Sequence, residues 1–596
     1  MSYFIYPEYF DVIVVGAGHA GIEAALISAR MAAKTLLITQ NLDTIGQMSC
    51  NPSIGGTGKG QIVKEIDALG GYMGINADNS SINYHTLNTS RGPAVHAPRA
   101  QCDKKLYHML AKQHIEKALN LFLMQDEVAS LYLKGSKLCG IITRRNTVYQ
   151  SKTVILTTGT FLNGVVYVGE FSSKGGRYND PPSTMLSGEL KKSGFNILRL
   201  KTGTPMRLNK RGIRFDLCTE QKSDAPAKPF SIFTDENELN RKKFMPCWIT
   251  RTNEKTFEII SKNLNRSALY SGRIKSIGPR YCPSIEDKIF KFPHHPSHHI
   301  FLEPEGFKTN EYYVNGLSTS LSEDVQREII KSIPALENSS IIRPGYAIEY
   351  DLIDPKDLNF NLESKIMENL FTAGQINGTT GYEEAAAQGL MAGINAVLKI
   401  RGKEPFIIRR DEGYIGVMIE DLITRGVDEP YRMFTSRAEY RIFLRQDNAD
   451  LRLSDYAFKL GIFDMSLKER FERYKETYNS FLSGVNSKKF NEDEMLPWKV
   501  ENARIAAENQ KLYSVYIERY KNEIEKMKKF ESIRIPKNFD YNDINELSIE
   551  TRQKLSKIRP ENLSEAYHIP GITVADVQLV WVLIEKMRYE RNRRSN

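Results

Sequence analysis

The stretch Asp11–Gly21, Asp-Val-Ile-Val-Val-Gly-Ala-Gly-His-Ala-Gly, constrains the fold more than any other part of the chain. Four apolar residues, Val12 to Val15, run straight into glycines spaced G-x-G-x-x-G, the strand, turn and helix start that cradle a dinucleotide pyrophosphate. Each glycine has its own task. Gly16 makes the tight turn, Gly18 lets backbone approach phosphate, and Gly21 lets helix and strand pack closely. The phosphates then lie on the positive end of the helix dipole. Ala25, Ser28, Ala29 and Ala32 extend the small-residue face, and Thr35–Thr39 is a second strand. One departure weakens the generic fingerprint. The acidic residue that meets the ribose about 20 positions on is replaced by Thr39 and Gln40.

The strand-to-glycine pattern returns twice, at Thr153–Thr160 and at Asn369–Gln375, the latter followed by a helical Glu383–Gly389. A β-meander, Glu127–Leu133 and Leu138–Thr143, lies between the first two. Three such turns separated by long insertions indicate an FAD domain assembled from discontinuous pieces; an NAD-only fold would be more contiguous. The run Ser49-Cys50-Asn51-Pro52-Ser53-Ile54-Gly55-Gly56-Thr57-Gly58-Lys59-Gly60 is no ATPase loop, because Ser53 and Gly60 stand where GxxxxGK[ST] requires Gly and Ser or Thr. It reads instead as backbone that approaches a ring or pyrophosphate, with a helix from Gln61 to Leu69. Leu87–Lys104 reads as an irregular functional loop broken by Pro93 and Pro98, whose Arg91 and Arg99 are candidates to hold a carboxylate or phosphate.

Length, at 596 residues, allows roughly three to five domains. The net charge of +10 favours an anionic partner such as nucleic acid. Eight Lys/Arg and no Asp or Glu fall between Lys191 and Arg214, so this run is either a solvated face or a phosphate-facing surface. The six cysteines include no CxxC pair, which points away from zinc and towards a reducing, cytoplasmic setting; no apolar run is long enough to span a membrane. Cys282 is bracketed by Pro279 and Pro283 with Arg280 and Lys288 near it, the setting of a reactive thiolate or of an inert buried thiol. Beyond Arg401 the pattern turns helical. Arg437, Arg441 and Arg445 share one face if their segment is a helix. Trp498–Phe530 suggests a long amphipathic helix. The last helix, Val574–Glu590, is apolar nearly all round, which requires burial on several sides or a docked protein.

Four long motifs together carry a resemblance: Ser49–Gly56, Gly278-Pro279-Arg280-Tyr281-Cys282-Pro283-Ser284-Ile285-Glu286-Asp287-Lys288, Ala373–Glu384 and Ser436–Arg441. The chain resembles, over essentially its whole length, the MnmG (glucose-inhibited division protein A) family of tRNA uridine 5-carboxymethylaminomethyl modification enzymes. The resemblance implies an α/β fold: a discontinuous FAD-binding Rossmann-like domain (1–200 and 343–400), an inserted α/β NADH-binding domain (201–342), and an all-helical C-terminal part. That part divides into a tRNA-binding region (401–547) and a partner-docking region (548–596). It implies FAD contacts at Gly16, Ala17, Gly18, His19, Ala20, Gly21, Val128, Ser183 and Gln375. NADH would lie on Gly278–Lys288 and on Ile289, Phe290, Lys291 and Phe292. Cys50 and Cys282 would be the catalytic thiols, with no metal. Cys102 stands where a small residue is expected and receives no role. The implied cofactors are FAD, NADH and methylene-tetrahydrofolate; the implied partners are tRNA and the GTPase MnmE, with a homodimer joining it in a heterotetramer. The rival readings are a folate-dependent tRNA uracil-5-methyltransferase, which lacks the helical tail, a small-metabolite flavoprotein, and a noncatalytic RNA-binding scaffold.

Overall fold

The computed structural model describes residues 3–279, 283–295, 297–484, 495–520, 533–536, 538–567, 569 and 571–595. They fall into two compact units, 1–509 and 510–596.

The first unit is built on the strand Phe4–Val15, whose apolar C-terminal half is completely buried. It pairs in parallel with Thr35–Thr39 on one side and Thr147–Leu156 on the other, and Thr35–Thr39 pairs in turn with Leu121–Gln125. The far edge of Thr147–Leu156 is divided. Its N-terminal half takes the antiparallel Lys137–Thr143, and its C-terminal half takes the parallel Leu370–Thr372 from more than two hundred residues downstream. The three strand-to-glycine turns of the sequence therefore end side by side on one sheet. Strands buried on both faces need no polar alternation, which is why these runs are continuously apolar.

One face of that sheet carries the helix His19–Arg30 packed against Tyr382–Ile400. Small residues make the approach possible: a Cβ on Gly389 would lie 2.0 Å from the Ala20 carbonyl, and the Ser28 hydroxyl donates to the Gly393 carbonyl at 3.4 Å. The helix ends at Arg30, so Ala32 lies beyond the expected small-residue face, in a left-handed turn.

A three-stranded sheet of Ser53–Gly55, Ala97–Cys102 and Ser81–Leu87 stands beside this layer. It corrects the expectation that Leu87–Lys104 is irregular, since Ala97–Cys102 is its central strand. Pro98 is tolerated because pairing with Ser53–Gly55 begins one residue later, at Arg99, and the Pro98 carbonyl still accepts the Gly56 N–H. Further along, a six-stranded antiparallel sheet forms a second core with the helices Glu254–Lys262, Ile285–Lys291 and Glu323–Ser332. A four-stranded antiparallel sheet, in which Tyr346–Ile353 pairs with both Val165–Val168 and Ile197–Thr204, completes the strands. Buried apolar residues between Phe406 and Ala503, many of them helical, share the hydrophobic core of the parallel sheet.

Two helical expectations are corrected. Arg437, Arg441 and Arg445 do not share a helix face, because a short turn of helix ends at Arg437 and irregular backbone follows. Arg445 is fully buried against Asp447 at 3.1 Å, and Arg437 stacks on Tyr431 at 4.3 Å. The long helix expected from Trp498 begins at Val500, is broken by a turn at Tyr513 and is helical again over 514–520; Trp498 itself is a core residue, and 521–530 lie outside the described residues.

The second unit has its own small core, including Phe539, Leu547, Leu555 and Leu563. Its last helix, Val574–Ser595, buries Val577, Val580 and Ile584 at i, i+3, i+7. Val582 remains 60% exposed and Trp581 36% exposed. Burial on several sides is therefore not what the unit provides for this helix.

Candidate active site

The glycine turn is held by a residue the fingerprint does not contain. Thr157, just past the end of the neighbouring strand, donates its hydroxyl to the carbonyls of Val15 and Gly16, both at 2.9 Å. Gly16 has φ 101°, a conformation that costs a side-chain-bearing residue strain. A Cβ on Gly21 would lie 1.8 Å from the Gly16 carbonyl oxygen, whereas a Cβ on Gly18 would meet no heavy atom within 4 Å. Gly18 alone among the three thus faces open space.

That space is a cavity of about 370 Å³ lined by Gly16, Ala17, Gly18, Val128 and Ser183, with Thr39, Gln40 and Arg177. No side chain caps the helix His19–Arg30 there and no acid occupies its first turn. The Thr158 hydroxyl is buried without a partner among the described residues. An uncapped helix N-terminus, an open glycine and a spare buried hydroxyl fit a dinucleotide. The carboxylates lining this cavity are Asp43, Asp126 and Asp180, none at the fingerprint position. Asp126 follows the strand Leu121–Gln125, whose apolar Leu-Phe-Leu-Met run was the available but unread signal.

A second cavity of about 560 Å³ shares Gly18, Gln47, Thr157, Gly159, Phe161 and Arg177 with the first. Its lining includes His19, Ala20, Gln375 and Cys50. Gly21 lines neither cavity. The Cys50 N–H donates to the Tyr382 hydroxyl at 2.8 Å, and Tyr382 stacks on His19 with ring centres 4.3 Å apart. The helix that follows the third turn therefore ties the thiol to the first turn. Arg207 donates to the Ser49 carbonyl at 2.8 Å and pairs with Glu305 at 3.0 Å, and its buried guanidinium stays charged.

Below the thiol, buried Lys59 bonds both Glu383 and Glu384 at 3.0 Å. The remaining carboxylate oxygens accept N–H groups of Gly55 at 2.7 Å and Met433 at 3.0 Å. This group fastens the glycine-rich run to the helix Tyr382–Ile400 and to the loop near Arg432. Most glycines of that run serve protein packing: a Cβ on Gly55 or Gly60 would strike the Pro98 carbonyl at 2.2 or 2.6 Å, and on Gly58 the Phe434 backbone at 2.8 Å. Gly56 is the one left facing the cavity openly.

His19 is buried with Nε2 unpartnered among the described residues, and burial pushes its pKa down to about 4. Between there and 6.5 the unfolded chain holds a proton that the folded chain lacks, so stability falls as pH drops through this window and is complete above it. In flavin-free protein, denaturant unfolding at pH 7.5 and at pH 4.5 is expected to show up to about 3 kcal/mol of this loss, which His19→Asn removes. Equal pH dependence in both proteins would show that His19 is not its source.

The other expected site residues are dispersed. Of the stretch 278–292, Pro279 reaches the second cavity, and Gly278 lies near the Lys201 side chain. Arg280, Tyr281 and Cys282 lie outside the described residues. Ser284 and Asp287 form a capping box on the helix Ile285–Lys291. Ile285, Glu286 and Ile289 face inward, Glu286 accepting the Ser320 N–H at 2.9 Å, while Phe290, Lys291 and Phe292 point outward. Lys288 donates to the Gly316 carbonyl at 3.1 Å. Cys102 is buried, which pushes its thiol up to about 12.

The acid-free run Lys191–Arg214 is not acid-free in space, because four of its eight cations meet carboxylates. Asp351 and Glu349 meet Arg199, Glu305 meets Arg207, and Glu189 and Asp216 meet Lys192 and Arg214. Arg99, a candidate for an anionic ligand, is held by Glu303 at 2.6 Å.

Residues 11–404 match the family model described as glucose inhibited division protein A, and residues 523–596 match the tRNA modifying enzyme MnmG/GidA C-terminal helical bundle. The chain is similar to the tRNA uridine 5-carboxymethylaminomethyl modification enzyme MnmG of Alkaliphilus metalliredigens (strain QYMF), 47% identical with 98% of each chain covered. It is also similar to the MnmG of Protochlamydia amoebophila (strain UWE25), 47% identical over 98% of this chain and 96% of the relative. The solved structure of Aquifex aeolicus GidA in its form II crystal matches with a TM-score of 0.86 and 45% identity, over 97% of this chain and 99% of that one.

Proposed function

The chain belongs to the glucose-inhibited division protein A (MnmG) family, and from that membership we propose a tRNA-modifying flavoenzyme that adds an aminomethyl or carboxymethylaminomethyl group to carbon 5 of the wobble uridine. The observation that supports this reading best is adjacency: the cavity holding the glycine turn shares a wall with the cavity holding Cys50. A dinucleotide held in the first would have its reactive end on the side of the thiol in the second.

FAD, when bound, would supply hydride chemistry with NADH and the handling of a one-carbon unit from methylene-tetrahydrofolate. Gly16, Ala17, Gly18, Val128 and Ser183 would hold its nucleotide half, and His19, Ala20 and Gln375 would lie towards its other end. Carbon 5 of uracil is a poor nucleophile until a thiolate adds to carbon 6 and makes an enolate, which attacks the electrophilic carbon. A base then removes the carbon 5 proton and the thiolate leaves carbon 6. Cys282 is our candidate for the adding thiolate and Cys50 for the second thiol participant. NADH would use 201–342, tRNA the region 401–547, and the GTPase MnmE the region 548–596, with this chain as a homodimer within a cytoplasmic heterotetramer. The net charge of +10 suits a polyanionic substrate, and no helix among the described residues is long and apolar enough to cross a membrane.

Mass spectrometry of tRNA nucleosides from cells with and without the gene tests the reading. The 5-substituted wobble uridine should disappear with the gene and return on complementation. An unchanged nucleoside profile would overturn the assignment.

A further inference from the structure

We propose that Tyr313 is the positioning residue of Cys50: its phenol donates a hydrogen bond to the thiolate, sets the pH at which that thiolate forms, and holds the sulfur at the wall of the second cavity. This deepens the functional reading above and rests on it for the role of Cys50 in turnover.

The argument begins with strand register. Tyr313 lies on the strand Glu311–Asn315, directly opposite Arg207 on the antiparallel strand Arg207–Asn209. Opposed residues present their side chains on one face, and the Arg207 guanidinium accordingly lies 4.9 Å from the centre of the Tyr313 ring. That face of the six-stranded sheet meets the loop carrying Ser49 and Cys50. The Tyr313 hydroxyl is 2.9 Å from the Cys50 sulfur, and both residues line the cavity.

The thiol has little freedom to turn away. Arg207 holds the carbonyls of Ser49 and Cys50 at 2.8 and 3.4 Å, and Tyr382 accepts the Cys50 N–H at 2.8 Å. The other contact of the sulfur, the Gly203 carbonyl, is 3.9 Å away and can only accept. Once the sulfur is ionised it too can only accept, so Tyr313 is its available side-chain donor among these contacts. Among the described residues, the titratable and charged groups that act on the thiol are Tyr313, Tyr382, Tyr346 and Arg207. Glu305 pairs with Arg207 and with Lys104, so much of the guanidinium charge is already compensated. The Tyr382 oxygen accepts the Cys50 N–H, and among the described residues its hydroxyl makes no hydrogen bond to the sulfur. Among the described residues the Tyr313 phenol is the side-chain group within hydrogen-bond distance of the sulfur, and a donor to the charged form favours a thiolate.

The test uses full-length purified protein and iodoacetamide, with carbamidomethylation of the Cys50 peptide followed by mass spectrometry across pH. Tyr313→Phe keeps the ring on Arg207 and removes the donor. It is expected to move the Cys50 alkylation midpoint up by about one unit or more, the size of a hydrogen bond to a charged group. It should also lower kcat for tRNA modification near pH 7, with recovery at higher pH and an unchanged KM for tRNA. A 4-methylphenylalanine at position 313 should shift the profile in the same way, so either donorless variant that folds is decisive. A 4-aminophenylalanine there, which restores a donor at the same reach, should stay within about half a unit of wild type. An unmoved midpoint in a folded donorless variant overturns the proposal. A moved midpoint in a protein whose wild type modifies no tRNA overturns the functional reading and leaves the hold on the thiol standing.

Discussion

Alanine at Gly18 is expected to strip the protein of flavin while leaving its fold intact. The Cβ would project into the first cavity, with no protein atom within 4 Å, and the backbone there has φ −76°, ψ −170°, which alanine adopts freely. Stability of the flavin-free protein should stay within about 0.5 kcal/mol of wild type. The methyl occupies the space where backbone and phosphate would meet, so flavin affinity should fall by at least about tenfold, or about 1.4 kcal/mol. Gly21→Ala separates the two tasks. Its Cβ would strike the Gly16 carbonyl at 1.8 Å and the Thr157 hydroxyl at 2.8 Å, forcing helix and turn apart. It is expected to cost about 3 kcal/mol of stability even without cofactor. Denaturant midpoints of the flavin-free variants and their visible absorbance after reconstitution distinguish the two. Full flavin binding by Gly18→Ala would remove the first cavity as the dinucleotide site.

Cys50→Ala is expected to lower wobble-uridine modification by about 10²- to 10⁴-fold, the usual reach of a group that moves a proton in the transition state. Flavin content should be retained, since Cys50 lines the second cavity and not the first. Cys102→Ala is the matched control. That thiol is fully buried, and burial holds it protonated far above neutral pH, so turnover should be unchanged. Single-turnover assays on tRNA transcripts would check both. Normal turnover by Cys50→Ala would mean that this thiol only lines the wall.

The glycine fingerprint was legible because its reasons are local: a left-handed turn at Gly16 and a carbonyl against Gly21 demand glycine whatever surrounds them. The recurrence of the pattern at Thr153–Thr160 and Asn369–Gln375 was legible for the same reason, and the structure places those turns at adjacent strand ends. Charge was less legible. Lys191–Arg214 contains no acid in sequence, yet Glu349 and Asp351 come from a strand that pairs antiparallel with Ile197–Thr204. The triplet Arg437, Arg441 and Arg445 misled because an i, i+4, i+8 spacing describes a face only if the backbone is helical. There, buried Asp447 and the ring of Tyr431 take up guanidiniums from non-helical backbone.

By itself the sequence determined the nucleotide cradle, the burial of the parallel strands and the family, since the first two follow from residues within single short segments and the third from four contiguous motifs. Tertiary structure alone decided what surrounds Cys50. Its partners Tyr313, Tyr382 and Arg207 lie 263, 332 and 157 positions away. Hydrogen bonds and ion pairs act over a few ångströms and ignore chain separation, so the environment of a thiol is fixed only when distant strands have found their register.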